Sequence, residues 1–265
     1  MRFAFGKNWR SFLSVLDDGR IEEACRSLRE SLQREDMAGT RMLDIGSGSG
    51  LFSLAAHRLG ADVVAFDYDP DSVACTSELR RQHATRGDWE VMQGSVLDAD
   101  FMTRLGTFDL VYSWGVLHHT GEMWRALQQA TQRVAPGGTL LIALYNDQGW
   151  RSKVWWHIKR AYCSGPAGRM LVSIVFYPLF FLYALALDVR NLALPGTHMR
   201  EYRQRRGMSI VHDWRDWLGG FPFEVATPAA VAEHLGAEFV LQRQKLTRGW
   251  GCNEFVFLRS PAHGD

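Results

Sequence analysis

One regularity constrains the fold of this chain more than any other: from residue 38 to 146, apolar runs alternate with stretches of helical period. RMLDIGSGSG (41–50) is an apolar run ending in glycines, and LFSLAAHRLG (51–60) is a helical pattern stopped by Gly60. ADVVAFDYDP (61–70) reads as a second buried strand with acids at its end, and DSVACTSELRRQHA (71–84) as a capped helix. WEVMQGSVLD (89–98) and TFDLVYSWGVLHH (107–119) are the third and fourth strands. GEMWRALQQATQRV (121–134) is a helix, PGG a turn, and TLLIALYN (139–146) the fifth strand. Strands alternating with helices predict parallel βαβ units and a doubly wound α/β sheet.

The alternation stops near Asn146 and resumes after Pro222. TPAAVAEHLG (227–236) is a capped helix. FVLQRQKLT (239–247) and NEFVFLRS (253–260), joined by RGWGC, predict an antiparallel hairpin completing a seven-stranded sheet. Ahead of the sheet, residues 10–35 follow a helical period through Phe12, Leu16, Ile21, Leu28 and Leu32. The expected organisation is therefore an N-terminal helical lid (1–37), a nucleotide-binding core (38–146), an apolar and basic helical cap (147–222), and a C-terminal helix and hairpin (223–265). At 265 residues the chain is long enough for one large domain with such an insertion.

The first glycine turn carries the chemistry. LDIGSGSG sets Asp44 at a strand end, followed by Gly46, Ser47, Gly48 and Gly50, at the start of a helix. Glycines there let the backbone turn tightly and approach a ligand. The next strand ends in Asp67, where a carboxylate accepts hydrogen bonds from ribose hydroxyls. Together these predict an adenosine-type cofactor. The GxGxG spacing differs from the GxGxxG of a dinucleotide site, which makes an oxidoreductase the weaker rival.

LDIGSGSG resembles the first motif of class I S-adenosylmethionine (SAM)-dependent methyltransferases. The resemblance continues in order through FDYDP, QGSVLD, FDLVYSWGVLHHT and VAPGGTLLIALYN, and is nearest to the ubiquinone-biosynthesis-like O-methyltransferases. It implies a Rossmann-like fold and SAM as cofactor, with S-adenosylhomocysteine (SAH) as product. It also implies that Gly46, Ser47 and Gly48 pass under the cofactor, that Asp44 orients its amino group, and that Asp67 binds the ribose. Tyr68 would lie against the adenine, with Ser95 and Val96 at the adenine edge. Ser95 stands where the family often has Asp, so its bond to the adenine amine is the weaker one. Trp114 is a further candidate wall.

GVLHHT puts His118 and His119 just past the fourth strand, at the carboxyl end of the sheet. Either suits a general base; a brace for the loop is the competing role. Acceptor-side candidates are Tyr145, Asp213 and Trp217, with capping and packing as the alternative for the last two, and Phe5 and Trp9 in the N-terminal lid. His212, Asp213 and Asp216 make a poor metal set, so no metal is expected. The reaction implied is methyl transfer to oxygen on a small lipophilic or aromatic acceptor. N- or carboxyl-methylation and a silent SAM-binding protein are the alternatives.

MLVSIVFYPLFFLYALAL (170–187) is uncharged and long enough to cross a bilayer. One crossing would separate parts of the same sheet, which argues against a span. RSKVWWHIKRAY (151–162) before it reads as an interfacial amphipathic helix, with Val154, Trp155, Ile158 and Tyr162 on one face and Lys153, Lys159 and Arg160 elsewhere. Residues 147–206 hold ten basic and three acidic side chains, a local +7 in a chain of net charge +1. Three roles fit: a buried lid or homodimer face, peripheral contact of 151–206 with an anionic membrane, or a channel for a lipophilic acceptor. The near-neutral total gives no field for nucleic acid. Four cysteines without CxxC spacing and a start without an apolar h-region predict a cytoplasmic protein, held peripherally at the inner membrane face if the membrane role applies.

Overall fold

A computed structural model describes residues 16–84, 88–206, 210–249 and 251–261. Strand β1 (Arg41–Ile45) lies mid-sheet, parallel to β2 (Asp62–Asp67) on one side and to β4 (Phe108–Trp114) on the other. β3 (Trp89–Gln93) extends the first side and β5 (Val134–Tyr145) the second, both in parallel. β7 (Cys252–Arg259) runs antiparallel to β5, and β6 (Phe239–Lys245) antiparallel to β7, giving the order β3-β2-β1-β4-β5-β7-β6. The seven-stranded sheet and terminal hairpin expected from sequence are thus present. The chain leaves β1 for opposite sides of the sheet, so a crevice opens at the carboxyl ends of β1 and β4.

The central strands are apolar without alternation because both faces are covered. On one face, Ile21, Ala24 and Leu28 of α1 (Asp18–Leu32) and Leu54 and Ala55 of α2 (Leu51–Arg58) pack with Leu79 of α3 (Pro70–His83). On the other, Met102 of α4 (Ala99–Arg104) packs with Ala126 and Leu127 of α5 (Met123–Thr131) and Val231 of α10 (Pro228–Leu235).

Three boundaries differ from the sequence reading. The first helix starts at Asp18, where Asp17 accepts a hydrogen bond from the Arg20 N–H at 2.9 Å; residues 10–15 lie outside the described residues. The third strand stops at Gln93, because Asp98 turns the chain by capping α4 through the Phe101 N–H at 3.0 Å. PGG is a kink inside one long β5, with Gly137 at φ 75° and a register shift opposite Phe108–Leu110.

The insertion is helical: α6 (Trp150–Tyr162), α7 (Pro166–Arg190), α8 (Thr197–Arg206) and α9 (Ile210–Gly219). Its core is largely aromatic. Trp155 meets Phe176 at 5.6 Å, and Trp214 meets Phe180 at 5.6 Å and Tyr177 at 6.1 Å. Asp188 near the end of α7 accepts from the N–H groups of Gly196 and His198, at 2.8 and 2.7 Å, and so fixes the start of α8.

The face assignment on α6 needs correction. Trp155, Ile158 and Tyr162 do pack inward, but Val154 is exposed and Lys159 is fully buried. Lys159 lies four residues after Trp155, so it falls on the packed stripe despite its charge. α7 shows the opposite mismatch. Val172, Phe176, Tyr177 and Phe180 pack inward, while Met170, Leu171, Ile174, Val175, Leu179, Leu182 and Val189 form an exposed stripe. The helix has 25 residues, and only 6% of its apolar window is buried.

Candidate functional site

The glycine turn between β1 and α2 is held by backbone. The N–H groups of Gly46 and Ser47 both donate to the Phe66 carbonyl, at 2.8 and 3.1 Å. Gly46 sits at φ 79°, and a Cβ there would come within 2.5 Å of the Val116 side chain. Gly50, at φ 82°, would place a Cβ 2.9 Å from Thr76, whose hydroxyl lies 2.9 Å from the Ser47 hydroxyl. Both positions therefore require glycine for conformation and for space.

Asp67 closes the turn from β2. One carboxylate oxygen accepts from the Gly48 N–H at 3.0 Å, the other from the Asp69 N–H at 2.8 Å. It therefore organises the loop. A small cavity beside it is lined by Gly46, Asp67, Tyr68, Ser95, Val96 and Val116. The sequence-selected residues of β1, β2 and the loop after β3 thus converge on one crevice. Tyr68 is 56% exposed at its lip. The Ser95 hydroxyl accepts from the Leu97 N–H at 3.2 Å, which commits it partly to its own turn. The Val96 side chain belongs to the core, so its backbone is the part offered to a ligand.

Asp44 is buried, and its described partner is the Ser53 hydroxyl, donating at 2.5 Å. Burial raises its carboxyl to about pH 7 and the nearby Asp67 charge adds to this, against the Ser53 hydrogen bond. Among the described residues no cation pairs with it. A cationic ligand group would satisfy it. On β4, Tyr112 is core, stacked on Phe52 at 5.2 Å, while Trp114 stands half-exposed at the strand end.

The two histidines separate in role. His118 is buried, and its Nδ1 accepts from the Tyr145 backbone N–H at 3.2 Å. The lone pair is thus used and the proton sits on Nε2. Burial, His119 and Lys159 together hold its pKa well below the usual value. His118 thus makes the backbone contact a brace would make. His119 donates from Nδ1 to the Pro222 carbonyl at 2.7 Å, so a neutral His119 carries its lone pair on Nε2. It retains the chemistry of a base.

Tyr145 joins this centre, with its ring 4.0 Å from His118, 5.4 Å from His119 and 6.1 Å from Trp217. Trp217 is therefore at the site. Asp213 is committed elsewhere, accepting from the Tyr202 hydroxyl at 2.7 Å and tying α9 to α8. Phe5, Trp9 and the His212 side chain lie outside the described residues.

Sequence reasoning missed Lys159, Ser53, Thr76 and Val116. Lys159 donates from Nζ to the Trp217 carbonyl and lies 4.4 Å from the Trp217 ring centre and 5.1 Å from that of Phe223. Burial lowers its pKa to about 7. Its i+4 spacing from Trp155 was the available signal.

Comparison with known proteins gives a consistent picture. A methyltransferase-domain family model matches residues 17–218. Ubiquinone biosynthesis O-methyltransferase of Xanthomonas oryzae is 32% identical over 113 residues, covering 43% of this chain and 46% of that one. Its counterpart from Mesorhizobium japonicum is 30% identical over 127 residues, covering 48% and 49%. The chain spans about half the length of these curated relatives. Magnesium protoporphyrin IX methyltransferase from Synechocystis, solved with SAH, superposes with a TM-score of 0.54 at 15% identity, covering 91% of this chain and 84% of that one. The N-methyltransferase NodS from Bradyrhizobium japonicum gives 0.50 at 14%, covering 90% and 86%. These two likenesses are of fold.

Proposed function

The chain belongs to the methyltransferase-domain family, and on that premise we propose that it is a SAM-dependent methyltransferase acting on an oxygen of a small lipophilic or aromatic acceptor. The observation that carries this reading is the crevice at β1 and β2. There the glycine turn leaves no room for a Cβ at Gly46, Asp67 presents a carboxylate, and Asp44 is a buried acid with no cation paired to it among the described residues. Those residues fit SAM, which has an adenosine, a ribose diol and an ammonium. Gly46 to Gly48 would lie under it, Asp67 would accept from the ribose, Asp44 would face the amino group, and Tyr68 with the Ser95–Val96 backbone would hold the adenine.

Bound SAM supplies an electrophilic methyl on a sulfonium. The protein's part is to align an acceptor oxygen with that methyl and manage one proton. His119 would take the proton; the support is that its Nδ1–H is anchored on the Pro222 carbonyl, which leaves Nε2 as the basic atom of the neutral ring. His118 and Tyr145 set the floor of the acceptor side, and Trp217 its wall. Transfer to oxygen on a lipophilic acceptor draws support from the ubiquinone-biosynthesis names of the relatives and from the apolar insert.

We also infer a cytoplasmic protein in peripheral contact with the inner membrane face through residues 151–206. The support is the exposed stripe of α7, flanked by exposed Arg169 and Arg190. Each large apolar side chain in it would gain about 1.5–3 kcal/mol on leaving water. A homodimer covering the same stripe is the rival.

The test uses purified protein, radiolabelled-methyl SAM and a cell extract, with products partitioned between organic and aqueous phases. Label in the organic phase is expected. Label confined to water removes the lipophilic acceptor, and no transfer at all removes the enzyme reading.

A further inference from the structure

Lys159 is the buried charge that the reaction as described leaves unused. Its ammonium sits at the C-terminal end of α9, where it donates to the Trp217 carbonyl and complements the helix dipole. That accounts for one of its three N–H groups. Lys159 forms no ion pair among the described residues. Burial of the ammonium outweighs the Asp216 carboxylate of α9, which favours its charge through space without a direct ion pair, and the π faces of Trp217 and Phe223 offset only part of the remaining cost.

A second donor stands in the same aromatic cluster. His118 is buried with its proton on Nε2, and that atom has no hydrogen-bond partner among the described residues. His119 connects the two. A Cβ placed on Gly220 would lie 3.1 Å from His119 Cε1 and 3.4 Å from Lys159 Nζ, and the His118 and His119 rings are 4.5 Å apart. The acceptor side of the site therefore holds a buried cation and a buried neutral donor, both short of an acceptor.

We propose that Lys159 and His118 Nε2 form a subsite for an anionic oxygen, so that the methyl acceptor is a small aromatic carrying a carboxylate or an ionised phenol. The aromatic body would lie among Tyr145, Trp217 and Phe223, and the oxygen would take the donors that the protein leaves unpaired. Lys159 is closed off in this structure, so the ligand enters as the Gly219–Gly220 turn yields. Two successive glycines put no side chain in its way. The proposal rests on the methyltransferase reading for its biological substrate, but ligand binding tests it without any turnover.

The experiment is calorimetric titration of the full chain, held with saturating SAH at slightly acidic pH so that Lys159 keeps its charge, using benzoate, 2,4-dinitrophenol (a phenol already ionised there) and uncharged benzamide. At least one of the two anions should bind, with benzamide at least about tenfold weaker. Which anion binds tells carboxylate from phenolate. Lys159→Met should lose about tenfold or more in anion affinity while its SAH affinity stays within about twofold. An apolar side chain of similar volume commonly replaces a buried charge without loss of fold, and thermal unfolding checks this. If the variant unfolds, the preference of the wild-type protein for anion over benzamide decides alone. The proposal is overturned if neither anion binds at millimolar concentration, if benzamide binds equally well, or if folded Lys159→Met binds the anion that wild type takes with unchanged affinity. Transfer activity on a neutral acceptor together with any of those results would spare the methyltransferase reading.

Discussion

The crevice at β1 and β2 and the cluster around Tyr145 each bury a group shifted to about 7, an acid in the first and a base in the second. Asp44 lies under the glycine turn and is raised to about 7; Lys159 lies under the α9 turn and is lowered to about 7. Burial is the largest cause in both. The difference lies in how each is built. Asp44 is nine residues from the Ser53 that hydrogen-bonds it, within one strand–turn–helix unit. Lys159 is served by Trp217, 58 residues away on a different helix. A local motif carries the acid, whereas a tertiary contact carries the cation. On the proposals above, each would take a ligand group of opposite charge: the SAM ammonium on one side, an oxyanion on the other.

That contrast can be broken most forcefully by pH. Asp44 has a folded pKa above its unfolded one, so its contribution to stability is full below about pH 4 and is lost as pH rises through about 7. Lys159 has a folded pKa below its unfolded one, so its contribution is full above about pH 10 and is lost as pH falls through about 7. Urea unfolding from pH 4 to 10 should show Asp44→Asn flattening the acid side and Lys159→Met the alkaline side. Each effect is on the order of a few kcal/mol. The same limb flattened by both variants, or neither limb by either, would remove the comparison.

Ligand affinity sharpens it next. Asp67→Ala should weaken SAM binding by about 1–3 kcal/mol, the scale of a hydrogen bond to a charged group, with some loss from the Gly48 N–H it releases. His119→Ala, on the other side, should leave SAM affinity nearly unchanged and cut turnover by about a hundredfold. Calorimetry and single-turnover rates read the two separately. An Asp67 variant with wild-type affinity would end the ribose assignment, and a fully active His119 variant would end the base.

The smallest expected effect concerns α7. Sedimentation with phosphatidylglycerol vesicles should retain the wild-type protein and release it as salt rises, since each basic residue near the surface contributes about 1 kcal/mol. Ile174→Glu with Leu182→Glu should abolish retention. Binding indifferent to lipid charge would count against the membrane role, and a concentration-dependent dimer lost in the same variant would favour the rival.

The strand–helix alternation, the glycine turn, Asp67 and the terminal hairpin could be read from sequence because each is a short-range pattern with a fixed period or spacing. Gly46, Gly48 and Gly50 share positive φ within one turn, a local demand, although the side chains that crowd Gly46 and Gly50 come from Val116 and Thr76 further along the chain; β1 and β2 are largely apolar because both faces of a parallel sheet are covered. The insert was legible only as helical. On α6 the charge of Lys159 argued for solvent, while the fold placed it on the stripe shared with Trp155 and Tyr162. On α7 an apolar run left a buried lid or dimer face, a membrane contact and an acceptor channel all open, and the fold leaves much of it bare. Asp213 went to Tyr202, and His118 to the Tyr145 backbone. Periodicity determines which residues share a face of an element. Which face meets solvent, which histidine keeps its lone pair, and which charge goes without a partner depend on contacts between distant segments, and those only the tertiary structure decided.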